Sequence, residues 1–155
     1  RILQHHGLIT LVTSKIASLE GSKYKNNAND MLEVIIPGQG DHKLTITNIY
    51  LGPAGALPQE RLLSKLLDPL NIIIGDFNCR HTEWNDRINT GRGKTLPVFL
   101  HYSEEPTWHD YQARRNSSTI DLLIASSQCA IASIQNVDLK ISDHNAVTYE
   151  IDTLR

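Results

Sequence analysis

Apolar and β-branched residues occur along the chain in short runs separated by polar turns, which is typical of β-strands. The predicted strands are residues 7–13, 31–36, 44–50, 71–74, 118–125 and 146–151, with a weaker candidate at 130–137. The continuous apolar run at 71–74 is typical of a central strand that is covered on both faces. The turn sequence at residues 37–40, which contains Pro37 and two glycines, predicts a hairpin between the second and third strands.

Helical patterns are fewer than strand patterns. Residues 58–67 predict a helix, because their leucines share one face. Residues 94–102 predict a second helix, in which Pro97 fits only near the start. The polar, Asn-rich segment 22–29 predicts a loop. Because strands and helices do not alternate strictly, the pattern favours an α+β class with two packed sheets and helices on the outside.

Composition narrows the class of protein. The chain has 155 residues, which is the size of a single domain spanning residues 1–155. Its net charge of −2 is not that of a bulk polycation, so nucleic-acid binding would need a local basic surface. The two cysteines are too few for a disulfide framework, which favours an intracellular protein. No apolar run approaches the roughly 18 residues of a membrane span, so we expect no membrane partner.

The sequence Gly75-Asp76-Phe77-Asn78 follows the predicted central strand. Strand alternation would turn Asp76 and Asn78 to one side and Phe77 to the core. A carboxylate beside a carboxamide suits phosphodiester hydrolysis, because the Asp can accept a proton from water and the Asn can donate to a phosphate oxygen. An ordinary strand-end turn explains these four residues equally well when they are considered alone.

Two further segments and one tyrosine carry candidate groups. In Ser142-Asp143-His144 the Asp suits a hard cation and the His suits a phosphate, and a solvated turn is the alternative. Asp121 interrupts an apolar strand, so it needs either a partner, for which His144 is the natural candidate, or an exposed edge. Tyr50 either offers its hydroxyl to a phosphate or is a half-buried strand aromatic. A single pocket built from separate strand ends would explain all these groups together.

Several basic residues lie near these segments. The candidate nucleic-acid contacts are Arg80, Arg92, Lys94 and Arg115. On loops at the rim of the pocket they would contact DNA phosphates, and the alternative for each is a solvated loop charge. Trp84 and Trp108 either stack on bases or pack in the core.

Together these segments resemble the endonuclease/exonuclease/phosphatase superfamily. The resemblance rests on Asn48-Ile49-Tyr50, Gly75-Asp76-Phe77-Asn78, Ser118-Thr119-Ile120-Asp121-Leu122 and Ser142-Asp143-His144, in that order. Within the superfamily, the chain is most similar to the apurinic-endonuclease-like domain of non-LTR retrotransposons. Pro106-Thr107 and the segment at residues 91–96 support this likeness, which covers nearly the whole chain.

The resemblance implies a four-layer α/β/β/α sandwich of two mixed sheets with outer helices, and cleavage of DNA assisted by Mg²⁺ or Mn²⁺. The roles that it assigns are water activation by Asp76, phosphate contact by Asn78 and Tyr50, orientation of His144 by Asp121, and metal binding by Asp143 and Asp76. It also implies a DNA partner, a reverse transcriptase domain C-terminal in the same polyprotein, and action in the nucleus.

The sequence departs from the family pattern at its start. The family carries an Asn on its first strand and a metal-binding Glu soon after, and neither has a counterpart here, because Glu20 is placed differently. We therefore expect a sandwich that lacks its first strand or strands, with weak or absent activity. Two alternatives remain: a non-catalytic remnant that at most binds nucleic acid, and a same-fold phosphatase or phosphodiesterase acting on lipids or nucleotides.

Overall fold

A six-stranded mixed sheet forms the centre of the molecule in the computed structural model, which describes residues 2–5, 7–96, 100–112 and 116–153. Along the chain the elements are β1 (Ile2–His5), β2 (Leu8–Leu11), β3 (Leu19–Lys25), β4 (Asn29–Pro37), β5 (Lys43–Leu51), α1 (Gln59–Leu66), β6 (Asn71–Asp76), β7 (Leu100–His101), β8 (Asp121–Ala125), β9 (Cys129–Val137) and β10 (Ala146–Thr153), with 3₁₀ turns at Thr82–Trp84 and Gly93–Thr95. The order in the central sheet is β3-β4-β5-β6-β8-β7. Among the strands of the described ranges, only β5 and β6 are parallel neighbours, and α1 connects them.

Alternate residues of the central strands bury opposite faces of this sheet, as the strand period requires. Ile73 packs on one face together with Leu62 of α1. Its neighbour Ile72 packs on the other face against the β9–β10 hairpin, and the β1–β2 hairpin covers Leu32 on that same face. The predicted α+β class with two packed β-layers is therefore confirmed. In the part of the chain that the structure describes, the second layer consists of these two antiparallel hairpins.

Most of the predicted elements form. The predicted hairpin forms between β4 and β5, whose last pair before the turn is Pro37↔Lys43. Residues 71–74 lie in β6, between β5 and β8, as expected for a central strand. The predicted helix becomes α1, but its buried face is narrower than expected, because Leu62 is fully buried while Leu67 is 85% exposed. No helix within the described ranges is long and apolar enough to cross a membrane.

Two local predictions are wrong. Residues 22–29 were expected to form a loop, but β3 occupies the first half of the segment, residues 22–25, and pairs with β4 through Lys23↔Leu32. This edge strand is polar because much of it faces solvent, so its sequence lacks an apolar pattern. The helix expected at residues 94–102 is also wrong where it is described, since it gives a 3₁₀ turn and then β7. The partner strand β8 supplies the hydrogen bonds that hold β7 extended.

Candidate active site

Three of the predicted site residues lie side by side on neighbouring strands. In the register of the central sheet, Tyr50 of β5 pairs with Asp76 of β6, and Asp76 pairs with Asp121 of β8. Residues in register on adjacent strands point to the same face of a sheet. Residues separated by up to 71 positions in sequence thus form one row, which we call the register row (Tyr50, Asp76 and Asp121).

Gly75 is the position that allows this row to form. Its φ is +145°, and a Cβ atom there would lie 2.0 Å from the carbonyl oxygen of Ile49. Only glycine tolerates such a close approach of two strands. Phe77 then turns into the core, where it is fully buried, and its N–H donates to the carbonyl oxygen of Ile120 at 2.9 Å. The glycine and the buried phenylalanine together fix the direction of the Asp76 side chain between them.

Asn78 lies next to Asp76, although not by strand alternation. The strand ends at Asp76, and Asn78 takes a left-handed backbone conformation with φ 46°. Its backbone N–H donates to Oδ1 of Asp76 at 2.8 Å, and its side-chain amide donates to Oδ2 of Asp76 at 3.0 Å and to the carbonyl oxygen of Leu51 at 2.9 Å. A carboxamide has two hydrogens to donate. In this arrangement both hydrogens hold Asp76 and the end of β5.

His144 joins the register row through Asp121. Its Nδ1 lies 2.9 Å from Oδ2 of Asp121. That hydrogen bond is the main cause that raises the pKa of His144, and the charges of Asp76 and Asp143 add to it. Burial, followed by repulsion from Asp121, raises the pKa of Asp76 to about 6. The site therefore combines a carboxylate that holds a proton into the mildly acidic range with an imidazole that favours its charged form.

Asp143 lies at the exposed edge of the site. Its Oδ2 accepts a hydrogen bond from Nε1 of Trp108 at 3.0 Å, which is the main cause that lowers the pKa of Asp143. Thr107, which is fully buried, accepts hydrogen bonds at Oγ1 from the backbone N–H groups of Ile120 and Asp121. The sequence pattern assigned no specific role to Thr107, and for Trp108 it allowed base stacking or core packing. The available sequence signal for both residues was their adjacency, a hydroxyl next to a tryptophan, shortly before the segment that contains Asp121.

The predicted basic contacts occupy different environments. The guanidinium of Arg92 donates to the carbonyl oxygens of Gly52, Pro53 and Asn78 at 2.9–3.1 Å, so it ties the site loops together. The guanidinium carbon of Arg80 lies 5.8 Å from the ring centre of Trp108. Lys94 is exposed, and Arg115 lies outside the described residues. Of the two tryptophans, Trp84 is a buried core residue.

The described residues hold no group of three or more His, Cys, Asp or Glu side chains arranged to bind a metal ion. Asp76 and Asp121 are the acidic pair of the register row, and Asp143 immediately precedes His144, whose Nδ1 lies 2.9 Å from Oδ2 of Asp121. These carboxylates are the oxygen donors that the site offers.

Comparison with known proteins identifies the family. A family model described as endonuclease-reverse transcriptase matches residues 44–148. Among solved structures, the chain is similar to the endonuclease domain of TRAS1, a telomere-specific non-LTR retrotransposon, with 20% identity, a TM-score of 0.68, and coverage of 95% of this chain and 74% of that one. A humanized D. rerio TDP2 shares the fold at 14% identity and a TM-score of 0.53, over 88% of this chain and 68% of that one. None of the curated proteins matches the chain.

Proposed function

Because the chain belongs to the endonuclease-reverse transcriptase family, we propose that it is a DNA-nicking endonuclease that hydrolyses a phosphodiester bond with the help of a divalent cation. The observation that carries the proposal is the register row of Tyr50, Asp76 and Asp121, with His144 bound to Asp121. The row and His144 together bring a proton acceptor, a hydroxyl and a cationic group to one sheet end. Phosphodiester hydrolysis needs this set of groups.

Each group of the row has a distinct task in this proposal. Asp76, with a pKa of about 6, is ionised at neutral pH and close to the range in which a general base works well, so it accepts the proton of the attacking water. Asp121 holds Nδ1 of His144, which leaves Nε2 for the phosphate. The raised pKa of His144 favours the imidazolium, whose charge stabilises the negative charge that develops on the phosphate. The exposed Tyr50 offers its hydroxyl to the same phosphate.

Mg²⁺, or Mn²⁺ in its place, fits the oxygen donors of this site. Burial, followed by repulsion from Asp121, raises the pKa of Asp76, and a bound cation would relieve that repulsion. Mg²⁺ is usually held by one or two carboxylates, and waters and substrate oxygens complete its shell. Asp76 and Asp143 are the residues that would hold it. When bound, the ion would stabilise the charge on the phosphate that is cleaved.

The substrate that we propose is DNA, since Lys94 is exposed near the site and Arg80 borders it. Arg115 stays a candidate contact in this proposal. We also propose a reverse transcriptase domain as partner in the same polyprotein and action at nuclear DNA. The support is the description of the family and the likeness to a retrotransposon endonuclease domain.

Nicking of supercoiled plasmid in Mg²⁺ tests the proposal. We expect the protein to convert supercoiled into open-circular DNA slowly, and Asp76→Ala and His144→Ala to lower that rate by roughly 100-fold or more, the usual contribution of a general acid or base. Matched controls are Asp41→Ala and His42→Ala, in the exposed turn before β5, at the strand end away from Tyr50. These should nick at the wild-type rate.

Three results would contradict the proposal in different ways. Nicking that survives Asp76→Ala and His144→Ala would reject the assigned residues. DNA binding without nicking would favour a non-catalytic nucleic-acid-binding protein. Hydrolysis of a phosphoinositide or nucleotide, with intact plasmid, would favour a same-fold phosphatase.

A further inference from the structure

Residues 107–109, which we call the bridging segment, lie between the two parts of the site. On one side, Trp108 exchanges both backbone hydrogen bonds with Ser118, just before Asp121. On the other side, Trp108 forms an antiparallel bridge with His144, and the N–H of His109 donates to the carbonyl oxygen of Asp143 at 2.8 Å. The backbone of one tryptophan therefore joins the strand that carries Asp121 to the loop that carries Asp143 and His144.

The side chain of Trp108 repeats this connection. Its indole N–H donates to Oδ2 of Asp143 at 3.0 Å. The indole is half-buried, and the guanidinium of Arg80 lies over its ring at 5.8 Å, within the range of a cation–π contact. Asp143 itself is exposed, so its carboxylate is free to turn unless a neighbour holds it. A rigid donor is thus aimed at one oxygen of this carboxylate, while the flexible hydroxyl of Ser142 donates to the other oxygen, Oδ1, at 3.3 Å.

From this geometry we propose that Trp108 is a positioning residue of the site, which holds the carboxylate of Asp143 through its indole N–H and so fixes the loop that presents His144. The inference deepens the proposed function, and its effect on nicking rests on that function. The contact itself is independent of catalysis. It assigns Trp108 a polar role in place of base stacking or core packing.

The chain offers a matched control in its other tryptophan. Trp84 is buried, and its indole N–H has no hydrogen-bond partner among the described residues. Replacing either tryptophan by phenylalanine keeps an aromatic ring and removes the N–H. Only at Trp108 does this remove a hydrogen bond to a charged acceptor, which is stronger than a neutral one.

The first experiment reads the contact without catalysis. The two tryptophans give two indole signals in a ¹H–¹⁵N spectrum, and Trp108→Phe identifies one of them by deleting it. We expect Asp143→Asn to move the Trp108 signal upfield, because the acceptor loses its charge, and to leave the Trp84 signal in place. The control Asp138→Asn changes a partly buried Asp of the same loop, which accepts a hydrogen bond from Lys140 instead, and should move neither signal. An unchanged Trp108 signal in Asp143→Asn would overturn the inference.

The second experiment measures the effect of this contact on catalysis. In plasmid nicking, Trp108→Phe should lower kcat by about ten-fold, which corresponds to one charge-assisted hydrogen bond, and change KM for DNA less than about two-fold. Trp84→Phe should keep both values. Since Trp108 acts through Asp143, adding Trp108→Phe to Asp143→Ala, which removes the acceptor, should cause no further loss.

The outcomes separate the inference from the proposed function. Full kcat in Trp108→Phe, or losses that multiply in the double variant, would overturn the positioning role. A wild-type protein that does not nick would count against the proposed function alone, because the indole signal still decides whether Trp108 holds Asp143.

Discussion

Asp76 shows how a single residue is tuned by its place in the sheet. It is the last residue of a central strand, with a buried phenylalanine after it and Asp121 paired beside it. Burial is the largest cause that raises its pKa, and repulsion from Asp121 is the next. The N–H of Asn78 and the charge of His144 lower the pKa. The folded protein therefore keeps a proton on Asp76 at pH values where the unfolded chain has released it.

This difference predicts how the stability depends on pH. The unfolded carboxyl titrates near 3.8 and the folded one near 6, so the contribution of Asp76 to stability falls as pH rises through this window. In a chelating buffer, Asp76→Asn should gain stability relative to wild type as pH rises from 4 to 7, by roughly 1–3 kcal/mol in total. Thermal melts across this range measure the difference. A flat or falling difference would contradict the prediction.

At the scale of elements, the bridging segment holds the beginning of β8 in place. Thr107 is fully buried, and its hydroxyl oxygen accepts from two consecutive backbone N–H groups, those of Ile120 and Asp121, at 3.2 and 3.1 Å. Its own carbonyl oxygen accepts from the N–H of Asn145 at 2.7 Å. One threonine thus connects the strand that carries Asp121 to the loop that follows His144.

We expect Thr107→Val to destabilise the protein by about 2 kcal/mol, because it keeps the shape and leaves two buried N–H groups without an acceptor. The matched control is Thr47→Val on β5, a fully buried threonine whose hydroxyl has no partner among the described residues. There the loss of a hydroxyl should be neutral or stabilising. Urea unfolding of both variants measures the difference. Equal effects at the two positions would contradict the role of the Thr107 hydroxyl.

At the scale of the whole molecule, the site forms where loops meet at one end of the central sheet. The net charge of −2 means that attraction to DNA must come from local basic residues. These basic residues differ in their contacts. Arg92 donates to three backbone carbonyl oxygens within the site, whereas Lys94 is exposed. We infer that Arg92 mainly maintains the site and that Lys94 is free to meet phosphate.

DNA-binding titrations over a range of salt concentrations test this division. Lys94→Gln should weaken binding and reduce the slope of log K against log salt by about one, without changing Tm. Arg92→Gln should lower Tm, because three carbonyl oxygens lose their donor. The control is Lys43→Gln, an exposed lysine at the start of β5 and far from the Tyr50 end. A lower Tm for Lys94→Gln, or an unchanged Tm for Arg92→Gln, would contradict the assignment.

The sequence by itself determined the elements whose residues carry a local apolar pattern. The central strand β6, the β4–β5 hairpin and the helix α1 follow from patterns that are complete within a few residues. The order of motifs along the chain was enough to indicate the family, because each motif is a short contiguous stretch.

The tertiary structure alone decided the remaining strands and the hydrogen-bond partners of the site residues. The polar strand β3 forms because β4 supplies its hydrogen bonds, and β7 is extended because β8 does the same. Which acceptor the amide of Asn78 or the guanidinium of Arg92 binds depends on loops that meet only after folding. Trp108 reaches Asp143 across 35 positions. The physical reason is common to these cases: side-chain pattern is local in sequence, whereas hydrogen-bond partners are set by the packing of distant segments.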